Sequence, residues 1–152
     1  MPFEELEHTA DVKMRITASG FSGLLSESGF ALSQVTYGTY PREAPSLSVG
    51  IEAEGKTREE LCVNFLSELL VIMETEYLVP VAFSLTVSAG PEEIQTGAAE
   101  NRGKLTVSGT VSGVEFEREK HAGGIGVKGI SYSGLTLRRV ETGCELIIIF
   151  DI

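Results

Sequence analysis

Between Ala10 and Ala18 the chain alternates, with Ala10, Val12, Met14, Ile16 and Ala18 apolar and Asp11, Lys13, Arg15 and Thr17 between them. A period of two marks a strand with one buried face. The same period returns at Leu47, Val49, Ile51 and Ala53, at Val81, Phe83, Leu85 and Val87 after Pro80, and at Leu105, Val107, Gly109 and Val111, where Ser112-Gly113 predicts a turn. Two stretches follow a helical period instead. Residues 20–35 place apolar side chains at 21, 24, 25, 32 and 35, but Gly23, Gly29 and four serines are poor helix formers, so this helix depends on tertiary packing. The second opens with the capping box Thr57-Arg58-Glu59-Glu60 and carries Leu61, Cys62, Phe65, Leu66, Leu69, Leu70, Ile72 and Met73, which predicts the main core helix, ending near Glu74.

The second half of the chain reads as strands. Residues 89–103 are rich in Gly, Pro, Glu and Asn and predict a surface loop. In residues 125–132, Ile125 and Val127 share one parity and Ile130 and Tyr132 the other, so the phase flips at Gly129 and predicts a β-bulge beside Lys128. Ser133-Gly134 then predicts a turn into residues 135–140. Leu146-Ile147-Ile148-Ile149-Phe150 is a continuous apolar run, as expected of a central strand covered on both faces. The element order predicts a single α+β domain over residues 1–152, with a largely antiparallel or mixed sheet and helices on one side.

Polar groups concentrate at two places along this pattern. Glu7-His8-Thr9-Ala10-Asp11 leads directly into the first alternating strand, a junction where a rigid scaffold presents side chains. Taken alone, the cluster is more simply read as His8 and Thr9 satisfying backbone groups while Asp11 sits in water. The central strand ends in Asp151 and Ile152. Its carboxylate, the Ile152 carbonyl and the chain-terminal carboxylate are hard oxygen ligands, and with Asp11 they suit Ca²⁺ or Mg²⁺ rather than a soft metal. Lys128 has the two readings of any lysine in a strand, solvent-facing or aimed by the bulge. Glu68 belongs to the solvated face of its helix, and His121 to an exposed turn with Gly123-Gly124.

Composition narrows the function. Twelve Lys and Arg against 22 Asp and Glu give a net charge of −10, which opposes the phosphate attraction behind non-specific nucleic-acid binding. Cations and basic proteins are the natural partners. With only two cysteines, Cys62 and Cys144, a disulfide framework and a cysteine-rich zinc site are excluded. No run approaches the ~18 apolar residues of a membrane span, and the acidic start lacks a secretory leader's features. A cytoplasmic protein with no membrane role is expected.

The sequence resembles the archease family, whose members accompany RtcB-type tRNA-splicing ligases. The resemblance is carried by Phe3-Glu4-Glu5-Leu6-Glu7-His8-Thr9-Ala10-Asp11-Val12, by Phe65-Leu66-Ser67-Glu68-Leu69-Leu70 with Thr75-Glu76, by Glu117-Arg118-Glu119-Lys120-His121, by Val127-Lys128-Gly129-Ile130-Ser131-Tyr132, and by Ile149-Phe150-Asp151-Ile152. It runs from end to end. It implies a strand-helix-strand-strand fold elaborated by an insertion. It implies a protein that is not itself an enzyme but activates the ligase, speeding guanylylation of the ligase's active-site histidine and supporting repeated turnover. It places a divalent metal, calcium first with magnesium or manganese as alternatives, on Asp11, Asp151 and the backbone of Ile152. It makes Lys128 the functional lysine, and His8 lies within the same motif. Departures are Glu7 where Asp is common, Phe65 where Trp is frequent, and Ser133 where many members carry His.

Three function classes follow. The first is the ligase activator, meeting tRNA only through the ligase, with an acidic surface suited to a basic enzyme. The second is a chaperone-like module for tRNA-modifying enzymes such as tRNA methyltransferases. The third, a metal-dependent hydrolase, lacks a second metal cluster, a nucleophile–base pair and a phosphate loop, since Gly123-Gly124-Ile125-Gly126 has no Lys-Ser/Thr after it.

Overall fold

Among the described residues, seven strands form two antiparallel sheets, and two long helices pack against both. The computed structural model describes residues 2–6, 11–39, 41–89 and 104–152. The four-stranded sheet combines β1 (Phe3–Leu6), β2 (Val12–Ala18), β6 (Gly129–Val140) and β7 (Gly143–Asp151) in the order β1-β2-β7-β6. The three-stranded sheet combines β3 (Leu47–Gly55), β4 (Leu78–Ala89) and β5 (Leu105–Glu115) in the order β3-β5-β4. Every pairing is antiparallel. The α+β class and antiparallel pairing follow the sequence expectation; the division into two sheets is new.

Helix α1 (Phe21–Tyr37) packs on β2 and β4, and α2 (Arg58–Glu76) on β3 and β6. Each helix therefore meets a strand from both sheets. That explains why α1 tolerates so much glycine and serine. Gly29 lies against the Phe83 ring of β4, where any Cβ would collide with it. Ser28 is buried and returns its hydroxyl to the Leu25 carbonyl at 2.7 Å, so neither small residue leaves an unsatisfied group. Helix α2 starts as its capping box predicts: the Glu60 N–H donates to Thr57 Oγ1 at 3.0 Å, and the Glu60 carboxylate reaches back to the Lys56 N–H. It buries Leu61, Cys62, Val63, Phe65, Leu66, Leu69, Leu70, Ile72 and Met73. Burying such side chains contributes roughly 1.5–3 kcal/mol each before entropy is counted.

β7 is an inner strand, and Ile148 and Ile149 on its opposite faces are both buried, as the continuous apolar run requires. Elsewhere the pattern misled. β1 pairs with β2 although Glu4 and Glu5 give it no alternation; an edge strand needs only backbone partners. Ser112-Gly113 is no turn, because β5 continues to Glu115 and Gly113 lies tight against the Val79 carbonyl of β4. Residues 125–128 are not a strand. The Ile125 N–H donates to the Val35 carbonyl at the end of α1, at 2.8 Å, instead of joining a ladder. The register irregularity falls between Ser131 and Thr136 rather than at Gly129. Ser133-Gly134 is thus a distortion inside one long β6, with Gly134 at φ +72°. Apart from Ala89, which ends β4, the expected loop over residues 89–103 lies outside the described residues. No helix among the described residues is long and apolar enough to cross a membrane.

Candidate functional site

The register of the four-stranded sheet decides which polar groups meet. Val12, the first residue of β2, pairs with Phe150. Asp11 immediately precedes β2, and Asp151 is the last residue of β7. The two carboxylates therefore leave the same end of neighbouring strands. Both are half-buried. On the far side of β7, Gly129 pairs with Asp151, and the Lys128 N–H donates to the Asp151 carbonyl at 2.7 Å. Lys128 and Ile152 are exposed at this same end. Two segments more than a hundred positions along the chain, 128–129 and 151–152, thus reach the same sheet terminus as Asp11. His8 lies outside the described residues, with Glu7, Thr9 and Ala10.

The segment before Lys128 is held by features that the hydrophobic pattern could not display. A short helix, α3 (Arg118–His121), ends in a histidine that is 2% exposed. The expectation of an exposed turn is corrected here: His121 packs edge-on to Tyr37 and beside Phe116, and its Nδ1 accepts the Glu117 N–H at 2.9 Å. The surrounding rings supply apolar burial that an isolated Arg-Glu-Lys-His run does not announce. Tyr37 also anchors this corner. Its hydroxyl donates to the Leu78 carbonyl at 3.1 Å, and burial, then the nearby Glu74 charge, push its pKa up to about 12.

Gly123 and Gly124 then dock on the end of α1. The Gly123 N–H donates to the Tyr37 carbonyl at 3.2 Å, and the Ile125 N–H takes Val35. A Cβ on Gly124 would fall onto the Val35 and Thr36 carbonyls. The Gly123 and Ile125 N–H groups therefore satisfy carbonyls that the helix end leaves open, and Gly124 between them allows the close approach that fixes the start of the run into Lys128. The Gly-Gly doublet was the available signal, and its partner was not legible.

Chemically, this end of the sheet offers oxygen donors and one ammonium. No group of three or more His, Cys, Asp or Glu suited to a metal occurs among the described residues. Two carboxylates and a main-chain oxygen are a hard donor set, and a calcium ion takes about 6–8 oxygens. Asp11 and Asp151 with Ile152 would fill part of such a shell and leave the remainder to water or to an approaching molecule. Lys128 adds a point charge with three donors, fitted to an anionic oxygen.

Known proteins resemble this chain along its whole length. Residues 3–152 match the model of the Archease protein family. The protein archease-like of Drosophila melanogaster is 33% identical over 159 residues, covering 100% of this chain and 91% of its own. The protein archease of Methanosarcina acetivorans is 25% identical over 160 residues, covering 99% and 95%. The solution structure of protein 1598 of Methanobacterium thermoautotrophicum superposes with a TM-score of 0.74 at 20% identity, covering 99% of each chain, which is a likeness of fold.

Proposed function

This chain belongs to the archease family, and we propose that it activates an RtcB-type RNA ligase in tRNA splicing, promoting ligase guanylylation and multiple turnover without catalysing a reaction of its own. The observation that carries this reading is the gathering of Asp11, Lys128 and Asp151 at one exposed sheet end by the Val12–Phe150 and Gly129–Asp151 pairings. A protein that completes another enzyme's site needs its charged groups at a surface, on a rigid element. A self-sufficient enzyme needs an enclosed pocket around them.

Asp11, Asp151 and the Ile152 main-chain oxygen are the groups that would hold a divalent ion, with calcium first and magnesium or manganese as alternatives. Such an ion supplies concentrated positive charge to phosphate oxygens. The protein's own residues do the rest. The carboxylates leave β2 and β7 at a fixed separation, set by the register. The Lys128 backbone is held at the same end by its N–H bond to the Asp151 carbonyl and by the Gly123-Gly124 docking on α1, so its exposed side chain starts from a fixed point. The acidic surface favours approach to a basic enzyme and disfavours competition for its tRNA.

The test is GTP-dependent guanylylation of the cognate ligase with wild-type protein, Asp11→Asn and Lys128→Ala, each checked for folding. Acceleration by wild type and its loss in both folded variants supports the reading. Equal acceleration by all three removes the site but keeps the partner. No acceleration by wild type rejects the activator role. Protection of a tRNA methyltransferase from aggregation that survives Asp11→Asn would then favour the chaperone-like role.

A further inference from the structure

The other end of the same sheet carries the opposite chemistry. A cleft of about 530 Å³ opens where β2 runs into α1, where β6 turns into β7, and where α2 begins. Its lining includes Arg58, Arg138 and Arg139, three of only twelve Lys and Arg in a chain of net charge −10. Such a concentration runs against the composition. Arg138 is engaged, its Nε 2.8 Å from Glu145 Oε1. Arg58 lies over the Phe21 ring, 5.5 Å from its centroid, which leaves the guanidinium edge available for in-plane hydrogen bonds. Arg139 forms no ion pair among the described residues. The Cys144 thiol, also in the lining, marks where these charges converge. Burial raises its pKa, and Arg58 and Arg139 both pull against that rise. Helix α1 starts beside them at Gly20, with no side-chain cap, so its first N–H groups add to the same field. Glu59 and Glu141 share the lining and oppose a long polyanion, which favours a compact one.

We propose that this cleft binds a compact phosphate-bearing ligand, held between the Arg58 and Arg139 guanidiniums with Phe21 as its apolar wall. The volume fits a small molecule of nucleotide size. Paired guanidiniums match phosphate oxygens in bidentate geometry. The site is separate from the carboxylate end, across the length of seven-residue β2, roughly 20 Å, and does not depend on the ligase role.

Calorimetry in metal-free buffer at physiological salt tests it, with inorganic pyrophosphate and adenosine triphosphate as separate titrants. The expected result is saturable 1:1 binding with Kd below ~1 mM. Arg58→Gln and Arg139→Gln should each weaken it by ~10-fold or more, while Asp11→Asn leaves it unchanged. Both arginines are exposed, so the variants keep the fold, which circular dichroism verifies. Tighter binding of the nucleotide assigns the Phe21 wall to its base or sugar; equal binding assigns recognition to the phosphates. Bound pyrophosphate should also slow alkylation of Cys144, with buried Cys62 silent in the native protein. No saturable binding of either titrant, or full binding retained in the Arg58→Gln/Arg139→Gln double variant, overturns the proposal.

Discussion

The two ends of the four-stranded sheet share strands β2, β6 and β7 yet differ in every respect that matters for chemistry. One end gathers Asp11, Asp151 and Lys128 around strand termini, at the surface. The other gathers three arginines and a thiol around a cleft floored by two helix starts. Between them runs a ladder of ion pairs across all four strands, in which Glu4 meets Arg15, Arg15 Nε lies 3.4 Å from Glu145, and Glu145 meets Arg138. What the contrast teaches is that antiparallel register alone can sort unlike charges to opposite poles. Residues far apart in the chain reach the same pole because each strand ends there.

The sharpest way to break the comparison is at the carboxylate end. Asp11→Asn and Lys128→Ala should each reduce ligase activation by ~10²-fold, the usual scale for losing a positioned charged group. Lys128→Ala should leave the melting temperature unchanged because Lys128 is exposed, and Asp11→Asn, at a half-buried position outside the core, should lower it by no more than a few degrees. A variant that retained full activation would show that this pole is only a strand ending.

Gly124→Ala attacks the same pole from behind. Its Cβ meets the Val35 and Thr36 carbonyls, which are backbone and cannot swing aside. The docking of residues 123–125 must shift, at a cost of ~1–3 kcal/mol. Chemical denaturation should report that loss, and guanylylation assays should show a fall in activation although Lys128 is intact. The arginine cleft should keep its anion affinity.

Alkaline titration separates the poles by order of loss. Cys62 is pushed from 9.0 up to about 12 by burial, with smaller contributions from Glu59 and Cys144, and Tyr37 from 10.0 to about 12 by burial and Glu74. Both groups are held neutral in the fold, so the unfolded chain releases their protons first. Stability from each is complete below its unfolded value and is lost as pH rises toward about 12. Denaturation midpoints should therefore fall from about pH 9, with Cys62 beneath the arginine pole leading and Tyr37 beneath the carboxylate pole following. Cys62→Ala should make the fall that starts near pH 9 shallower, with the raised Cys144 thiol still contributing there, and leave the later fall in place.

Much of this was written in the sequence, and the exceptions share a cause. The capping box at Thr57 and Glu60, the alternation in β2 and the apolar run of β7 are local signals, and each became the element it predicts. The convergence of Asp11 with Asp151 was legible as a chemical set and a family resemblance; that the two stand on neighbouring strands required the register. The features missed depend on contacts made from a distance. Gly123-Gly124 looks like a turn until the end of α1 is placed beneath it. His121 looks exposed until Tyr37 and Phe116 surround it. Arg58, Arg138 and Arg139 look like scattered surface charge until α2 and the β6–β7 turn face one cleft. β1 escaped because an acidic edge strand carries no hydrophobic period. His8 lies outside the described residues, so its place at this pole stays with the sequence reading alone.

The smallest perturbation tests the poles' independence from the arginine side. Thr57→Ala removes the oxygen that accepts the Glu60 N–H at 3.0 Å, leaving a donor in the first turn of α2 to water. An N-cap of this kind contributes about 1 kcal/mol, equivalent to a fall of ~3 °C in melting temperature for a chain of this size. The reciprocal contact from the Glu60 carboxylate to the Lys56 N–H remains, so the helix frays at its first turn and does not unravel. Arg58 and Glu59 sit on that turn and line the cleft. Pyrophosphate affinity should accordingly weaken by ~2-fold, the consequence of populating frayed states a few tenths of a kcal/mol more often. Ligase activation should be untouched, because no element between Thr57 and the carboxylate pole changes its pairing. Loss of activation in Thr57→Ala, with only the modest drop in melting temperature, would show that the two ends of the sheet communicate through α2.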